Sequence, residues 1–136
     1  MSTVPTARLT EVLAQDERIL VAYLFGSKSK GVQTSESDTD IAVLLSELPE
    51  DLLGYWLDLV EKLSRLLGDA VDLTVLNRAS PLLKHEVIKH GQVLYSRDEK
   101  TRVEFETKAE GEYLDFGLRR RQYDKALLEE MSKWKR

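Results

Sequence analysis

The sequence predicts an α/β domain: a mixed β-sheet flanked by helices, with a long helix at the C-terminal end. Three observations predict it. Ile19–Phe25 is an unbroken apolar run of strand length, the pattern of a strand covered on both faces. Strand-like segments at 39–45 and 70–76 are separated by a stretch of helical period, and such alternation builds layered α/β domains. From about Asp98 to Met131 the period stays helical without a proline, which is too long for an ordinary connecting helix.

The elements follow in order. Residues 6–17 predict a first helix, with Leu9, Val12 and Leu13 at helical spacing. The first strand, Ile19–Phe25, stops at Gly26-Ser27. Residues 28–37 are small and polar and read as a loop with at most one helical turn. Thr39–Leu45 is the second strand. Pro49, Glu50 and Asp51 suit the first turn of a helix. That helix runs to about Leu67, with Leu53, Trp56, Leu57, Val60, Leu63 and Leu67 as its expected buried stripe and Gly68 as its cap. In the third strand, 70–76, Val71, Leu73 and Val75 face one way and Asp72, Thr74 and Leu76 the other. Ser80-Pro81 opens a short helix that ends at Gly91. Val93–Tyr95 is a short edge strand. The last helix, about 98–131, places Phe105, Ala109, Tyr113, Phe116, Tyr123 and Leu127 near one face.

The chain has 136 residues, and the expectation is one domain over 1–136, because single domains commonly hold about 100–200 residues. That length leaves no room for a full polymerase, synthetase or kinase. There is no cysteine, so disulfides, thiolate zinc sites and cysteine nucleophiles are excluded. The two histidines, His85 and His90, cannot hold zinc without carboxylate help; both are expected at helix surfaces or caps. No apolar run reaches the ~20 residues that span a bilayer. The first residues lack the basic-then-apolar order of a secretory leader, so a cytoplasmic location is expected.

The net charge of −4 is unevenly spread. Residues 117–136 hold seven basic and three acidic side chains, a balance of +4, which leaves −8 on residues 1–116. An acidic body argues against nucleic acid as a direct ligand, which would need a positive surface.

Two aspartates carry the chemistry. Asp38 and Asp40 are spaced i, i+2 at the start of a strand, so both carboxylates share one face, opposite Ile41, Val43 and Leu45. Held ~5 Å apart they repel by about 3 kcal/mol at an effective dielectric of ~20. A divalent cation such as Mg2+, with its preference for hard oxygen ligands, would offset that. Asp72 is the one charge in the apolar strand VDLTVL. Read as a buried carboxylate in a central strand, it needs a partner or a metal. If its strand neighbours that of Asp40, three carboxylates converge, the set suited to two-metal phosphoryl transfer. Gly26 lets a phosphate approach backbone amides, Ser27 can donate to it, and Lys28 and Lys30 could offset its charge.

The segment LFGSKSKGVQTSESDTDIAVL resembles the signature of the nucleotidyltransferase superfamily that includes DNA polymerase β and kanamycin nucleotidyltransferase. The small size is similar to that of the minimal nucleotidyltransferases, and more narrowly the chain resembles the MntA-type antitoxins encoded beside HEPN-domain ribonuclease toxins. The resemblance extends over VDLTVLN, SPLLKHEVIKHGQVLYS and EFETKAEGEYLDF. It implies a nucleotidyltransferase-type mixed sheet and an enzyme that transfers AMP from ATP to a tyrosine of the toxin. It further implies that Gly26 and Ser27 bind the nucleotide phosphates and that Asp38, Asp40 and Asp72 hold Mg2+, with two ions during catalysis. Lys30 departs from the Arg that many relatives carry before the Gly; Lys lacks bidentate geometry.

Two other readings stand beside this one. One is an antitoxin that neutralises by occlusion alone, which would not require an intact aspartate set. The other is a small-molecule nucleotidyltransferase, which lacks room for a substrate domain. Among the remaining residues, Trp56 is expected in the core, Trp134, in the basic terminal stretch, disordered or at an interface, and Asp69 in a turn. Tyr113 and Tyr123 are expected to pack, or to form an interface on the last helix. That helix, with Phe116 and Arg119, Arg120 and Arg121, carries the residue types that dominate interface energy.

Overall fold

The computed structural model describes residues 6–26 and 39–133. Helix α1 (Thr6–Gln15) leads into strand β1 (Ile19–Phe25). Then come β2 (Thr39–Leu45), α2 (Leu52–Leu67), β3 (Val71–Val75), a single 3₁₀ turn (Leu76–Arg78), α3 (Pro81–His90), β4 (Gln92–Ser96) and α4 (Glu99–Ser132). The expected α/β order is present. Leu76 leaves the third strand for the 3₁₀ turn, and the second helix opens later than expected. Its N-cap is Asp51, whose carboxylate accepts from Gly54 N at 2.9 Å, so Pro49 and Glu50 precede the helix rather than form its first turn. At the other end Gly68 takes φ 72° and its N–H bonds Ser64 O at 2.8 Å, the left-handed cap that glycine makes at least cost.

The sheet is mixed, in the order β3-β2-β1-β4. β1 pairs antiparallel with β2 and β4, and β2 pairs parallel with β3. β4 is an edge, as expected. So is β3, which corrects the reading of Asp72 as buried in a central strand: Asp72 is exposed. With alternate side chains on opposite faces, strand order alone decides whether such a position is covered.

Helices cover both faces. On one, Ile19, Ala22, Leu24, Ile41, Val43, Leu45, Val71 and Leu73 pack with Leu9 and Leu13 of α1 and Leu59 and Leu63 of α2. On the other, Val21, Tyr23 and Ala42 pack with Leu76, with Val87 of α3 and with the half-buried Phe105 of α4. A register shift in β1 between Ile19 and Val21 sends these two to different faces. This two-sided cover explains the unbroken apolar run of β1.

The stripe expected on α2 is only partly the buried one. Leu59 and Leu63 are buried, with Tyr55, Trp56, Val60, Leu66 and Leu67 packed against the core. Leu53 and Leu57 are 67% and 51% exposed. Leu53 lines an open groove with Leu52, Trp56, Val75 and Arg78. Trp56 packs as expected and also donates from Nε1 to Leu73 O at 2.8 Å, giving edge strand β3 an extra hydrogen bond.

Two phenols, the buried Tyr23 and the half-buried Tyr55, tie helices to the body. Tyr23 Oη donates to Glu106 Oε2 at 2.7 Å, and Arg102 on the same helix pairs with Glu106 at 3.0 Å. Tyr55 Oη donates to Asp16 Oδ2 at 2.7 Å. Burial first, then the neighbouring carboxylate, pushes each phenol well above its ordinary value of 10.0. The neutral form is the one the fold favours, so this stabilisation is complete below about pH 10 and is lost as pH rises further. The melting temperature should therefore fall steeply above about pH 10, and Tyr23→Phe should flatten that fall while costing ~1–3 kcal/mol at neutral pH. An unchanged alkaline slope in a melting series would contradict this account.

Helix α4 carries two glycines, Gly111 and Gly117, and a Cβ at either would meet nothing within 4 Å. Helical glycine costs ~1 kcal/mol against alanine. Gly111→Ala should accordingly stabilise the chain by about 0.5–1 kcal/mol in denaturant titration, and a loss of stability would reveal an unrecognised contact.

Candidate active site at the start of the parallel strand pair

The site forms where β1 ends and β2 begins. Thr39 anchors the start of β2: it is buried, and its N–H donates to Ala70 O at 3.0 Å, just ahead of β3. The next residue, Asp40, lies opposite Phe25 on β1 and opposite Asp72 on β3. Adjacent strands lie ~4.8 Å apart, and register partners on parallel strands project to the same face. The structure thus brings Asp40 and Asp72 together on the face of Ala42 and Thr74, while Ile41, Val43 and Leu45 are buried on the opposite face. Asp40 is half-buried and Asp72 exposed.

Gly26 closes over Asp40. Its φ is 80°, and a Cβ there would lie 2.1 Å from Asp40 Oδ2 and 3.0 Å from Cγ. Sequence reasoning marked Gly26 for phosphate approach. The structure adds a second requirement, because the backbone lies against the Asp40 carboxylate where no side chain fits. Ser27, Lys28, Lys30 and Asp38 lie outside the described residues.

Two carboxylates in register repel by ~1 kcal/mol in water-like surroundings and ~3 kcal/mol where the effective dielectric is ~20. Water reaches Asp72, so the repulsion lies toward the lower figure and the pair is tolerable without a cation. The donor chemistry suits a hard divalent ion such as Mg2+, which binds through one or two carboxylates and completes its shell with water and phosphate oxygens. Among the described residues no group of three His, Cys, Asp or Glu side chains gathers; the expected third carboxylate is Asp38.

Other singled-out residues hold the scaffold. His85 is not a surface residue: its ring stacks on Tyr113 with centroids 3.7 Å apart, and Nδ1 lies 2.9 Å from Glu110 Oε2. It joins α3 to α4. His90 sits at the end of α3, 3.6 Å from Glu86, and Asp69 lies exposed in the turn before β3; both match expectation. Trp134 lies outside the described residues. Sequence reasoning missed Asn77. Its Oδ1 accepts from Leu45 N and its Nδ2 donates to Leu45 O, both at 2.8 Å. The amide imitates a strand at the end of β2 and holds the β2–β3 register that aligns the aspartates. An Asn directly after an apolar strand was the available signal.

The chain is similar to known proteins over most of its length. Protein adenylyltransferase MntA of Shewanella oneidensis is 37% identical over 78 residues, which cover 57% of this chain and 55% of that protein. The chain therefore spans about half the length of that curated relative. A toxin–antitoxin crystal structure with AMP-PNP superposes with a TM-score of 0.77 at 28% identity, over 91% of this chain and 98% of that one. The structure of a tri-AMPylated Shewanella oneidensis HEPN toxin in complex with MNT antitoxin superposes at 0.72 and 26% identity, over 94% and 99%. The model of the polymerase beta nucleotidyltransferase family matches residues 7–100. That span runs from α1 into the first turn of α4 and holds Gly26, Asp40 and Asp72, and by it this chain belongs to the polymerase beta nucleotidyltransferase family.

Proposed function

We propose that this chain is an ATP-dependent protein adenylyltransferase that serves as antitoxin to a HEPN-type ribonuclease toxin, by transferring AMP to a toxin tyrosine and forming a hetero-oligomer with it. The observation that carries the reading is the register of Asp40 with Asp72, with Gly26 against Asp40, in a chain of the nucleotidyltransferase family. Solved chains of similar fold, matched over 98% and 99% of their length in structures with AMP-PNP and with a tri-AMPylated toxin, support it.

In this reading 1–136 is a single nucleotidyltransferase domain working in the cytoplasm. No helix among the described residues is long and apolar enough to cross a membrane. Asp38, Asp40 and Asp72 hold Mg2+, which when bound neutralises phosphate charge and lowers the pKa of a hydroxyl beside it. Gly26 and Ser27 receive the phosphates, and Lys28 and Lys30 offset their charge. The tyrosine oxygen attacks the α-phosphorus of ATP; the bond to the β-phosphate breaks and diphosphate leaves. Asp72 suits the proton-accepting role at that oxygen. It is exposed on an edge strand, so a hydroxyl on a folded protein can approach it without opening the sheet.

Calorimetry with a non-hydrolysable ATP analogue should show binding that depends on Mg2+, with little metal affinity in the absence of nucleotide. Incubation of the toxin with labelled ATP should then transfer label to tyrosine. Binding of equal strength without metal would remove the carboxylate site. Neutralisation of the toxin without label transfer would favour the occlusion reading.

A further inference from the structure

In α4 one line of side chains faces the body: Arg102, Phe105, Ala109 and Tyr113 recur at spacings of three and four. Each has a partner there. Arg102 is paired with Glu106 beneath Tyr23, Phe105 and Ala109 pack inward, and Tyr113 stacks on His85. The same line continues as Phe116, Arg120, Tyr123, Leu127 and Met131, where no body remains beneath it. From Leu118 onward every described residue is exposed. Phe116 is 43%, Tyr123 67%, Leu127 45% and Met131 54% exposed. A helix of this polarity gains most of its stability from packing its apolar stripe, and here that stripe runs on for ~25 Å past the domain.

We propose that one face of the distal half of α4, the line from Phe116 to Met131, is the surface by which the chain holds its HEPN-type partner, seating in an apolar groove with an acidic rim. The inference rests on the partner proposed above. Three observations select that occupant. The family match ends at residue 100, so nearly all of α4 lies outside what nucleotidyltransferases of this family share. The chains matched in two toxin–antitoxin structures cover 91% and 94% of this chain. That leaves too few residues unmatched to omit a helix of 34 residues. Charge sets the rim: residues 117–136 carry +4 in a chain whose remainder carries −8. Arg119 is paired with Asp115 at 3.1 Å, whereas among the described residues Arg120 and Arg121 make no ion pair. An acidic surface is repelled by the body and drawn to this helix.

The test uses the whole chain and a purified HEPN-type toxin, the partner proposed above. Tyr123→Ala/Leu127→Ala and, separately, Arg120→Glu should weaken toxin binding at least tenfold, with ATP–Mg2+ binding unchanged. AMP transfer should show a raised KM for toxin and a retained kcat. Leu118→Ala, on the opposite side of the helix, should bind as wild type. Wild-type toxin affinity in the double variant, with nucleotide binding intact, would overturn the surface. So would equal loss in Leu118→Ala. A change in self-association with unchanged toxin affinity would give the face to a second copy of the chain and also overturn it. A wild-type chain that ignores the toxin altogether would instead overturn the partner assignment.

Discussion

Asp40→Asn and Asp72→Asn should each lower AMP transfer by at least ~10²-fold, the scale on which removal of one group that stabilises transition-state charge is felt. The substitution keeps shape and removes charge, so the sheet should survive. Asp72 is exposed on an edge strand, and its neutralisation should leave stability within about 0.5 kcal/mol or raise it slightly, because register repulsion with Asp40 is relieved. The two variants should differ in what they lose. Asp40, half-buried beneath Gly26, should lose Mg2+-dependent nucleotide binding. Asp72, open to the acceptor, should lose transfer while retaining more of that binding. Labelled AMP transfer and calorimetry on the same preparations read both quantities. Near wild-type transfer in either variant would sink the carboxylate assignment.

Gly26→Ala should be nearly as damaging, for a different reason. The new Cβ would fall 2.1 Å from Asp40 Oδ2 at a backbone φ of 80°. No relaxation of the alanine alone relieves both problems. Either the carboxylate turns away from the site or the chain leaves β1 at another angle. The expected result is a ~10²-fold loss of transfer together with ~1–3 kcal/mol of stability, the range of a forced backbone strain. Gly68→Ala is the matched control. Its φ is 72°, yet a Cβ there meets nothing within 4 Å. It should cost ~1–2 kcal/mol and leave transfer unchanged. If Gly26→Ala behaved like Gly68→Ala, the close approach to Asp40 would have no functional consequence.

Much of this was legible in the residues. β1 could be read from its continuous apolar run because a strand covered on both faces has no polar alternation to keep. α3 could be read from Ser80-Pro81, since Ser80 Oγ accepts from Leu83 N at 3.1 Å and Pro81 lacks the amide that would need a partner. Gly26 and Asp40 stood out because their positions end one strand and start the next. The errors share a cause. Leu53 and Leu57 looked buried because a helical stripe is wide, and only the place where α2 meets the sheet decides which flank is covered. Asp72 looked central because strand order is not written locally. Asn77 was missed because its two hydrogen bonds reach Leu45, 32 residues back.

The sequence by itself therefore determined the element order, the faces of β2 and β3 and the choice of candidate site residues, because each depends on period and on neighbours a few positions away. Tertiary structure alone decided that β3 lies beside β2 in parallel register, which turns Asp40 and Asp72 into a pair. It also decided that Gly26 closes on Asp40 and that α4 outruns the body it packs on. These are facts about segments distant in the chain. They are settled by which surfaces can be buried together, and no local pattern of residues encodes that choice.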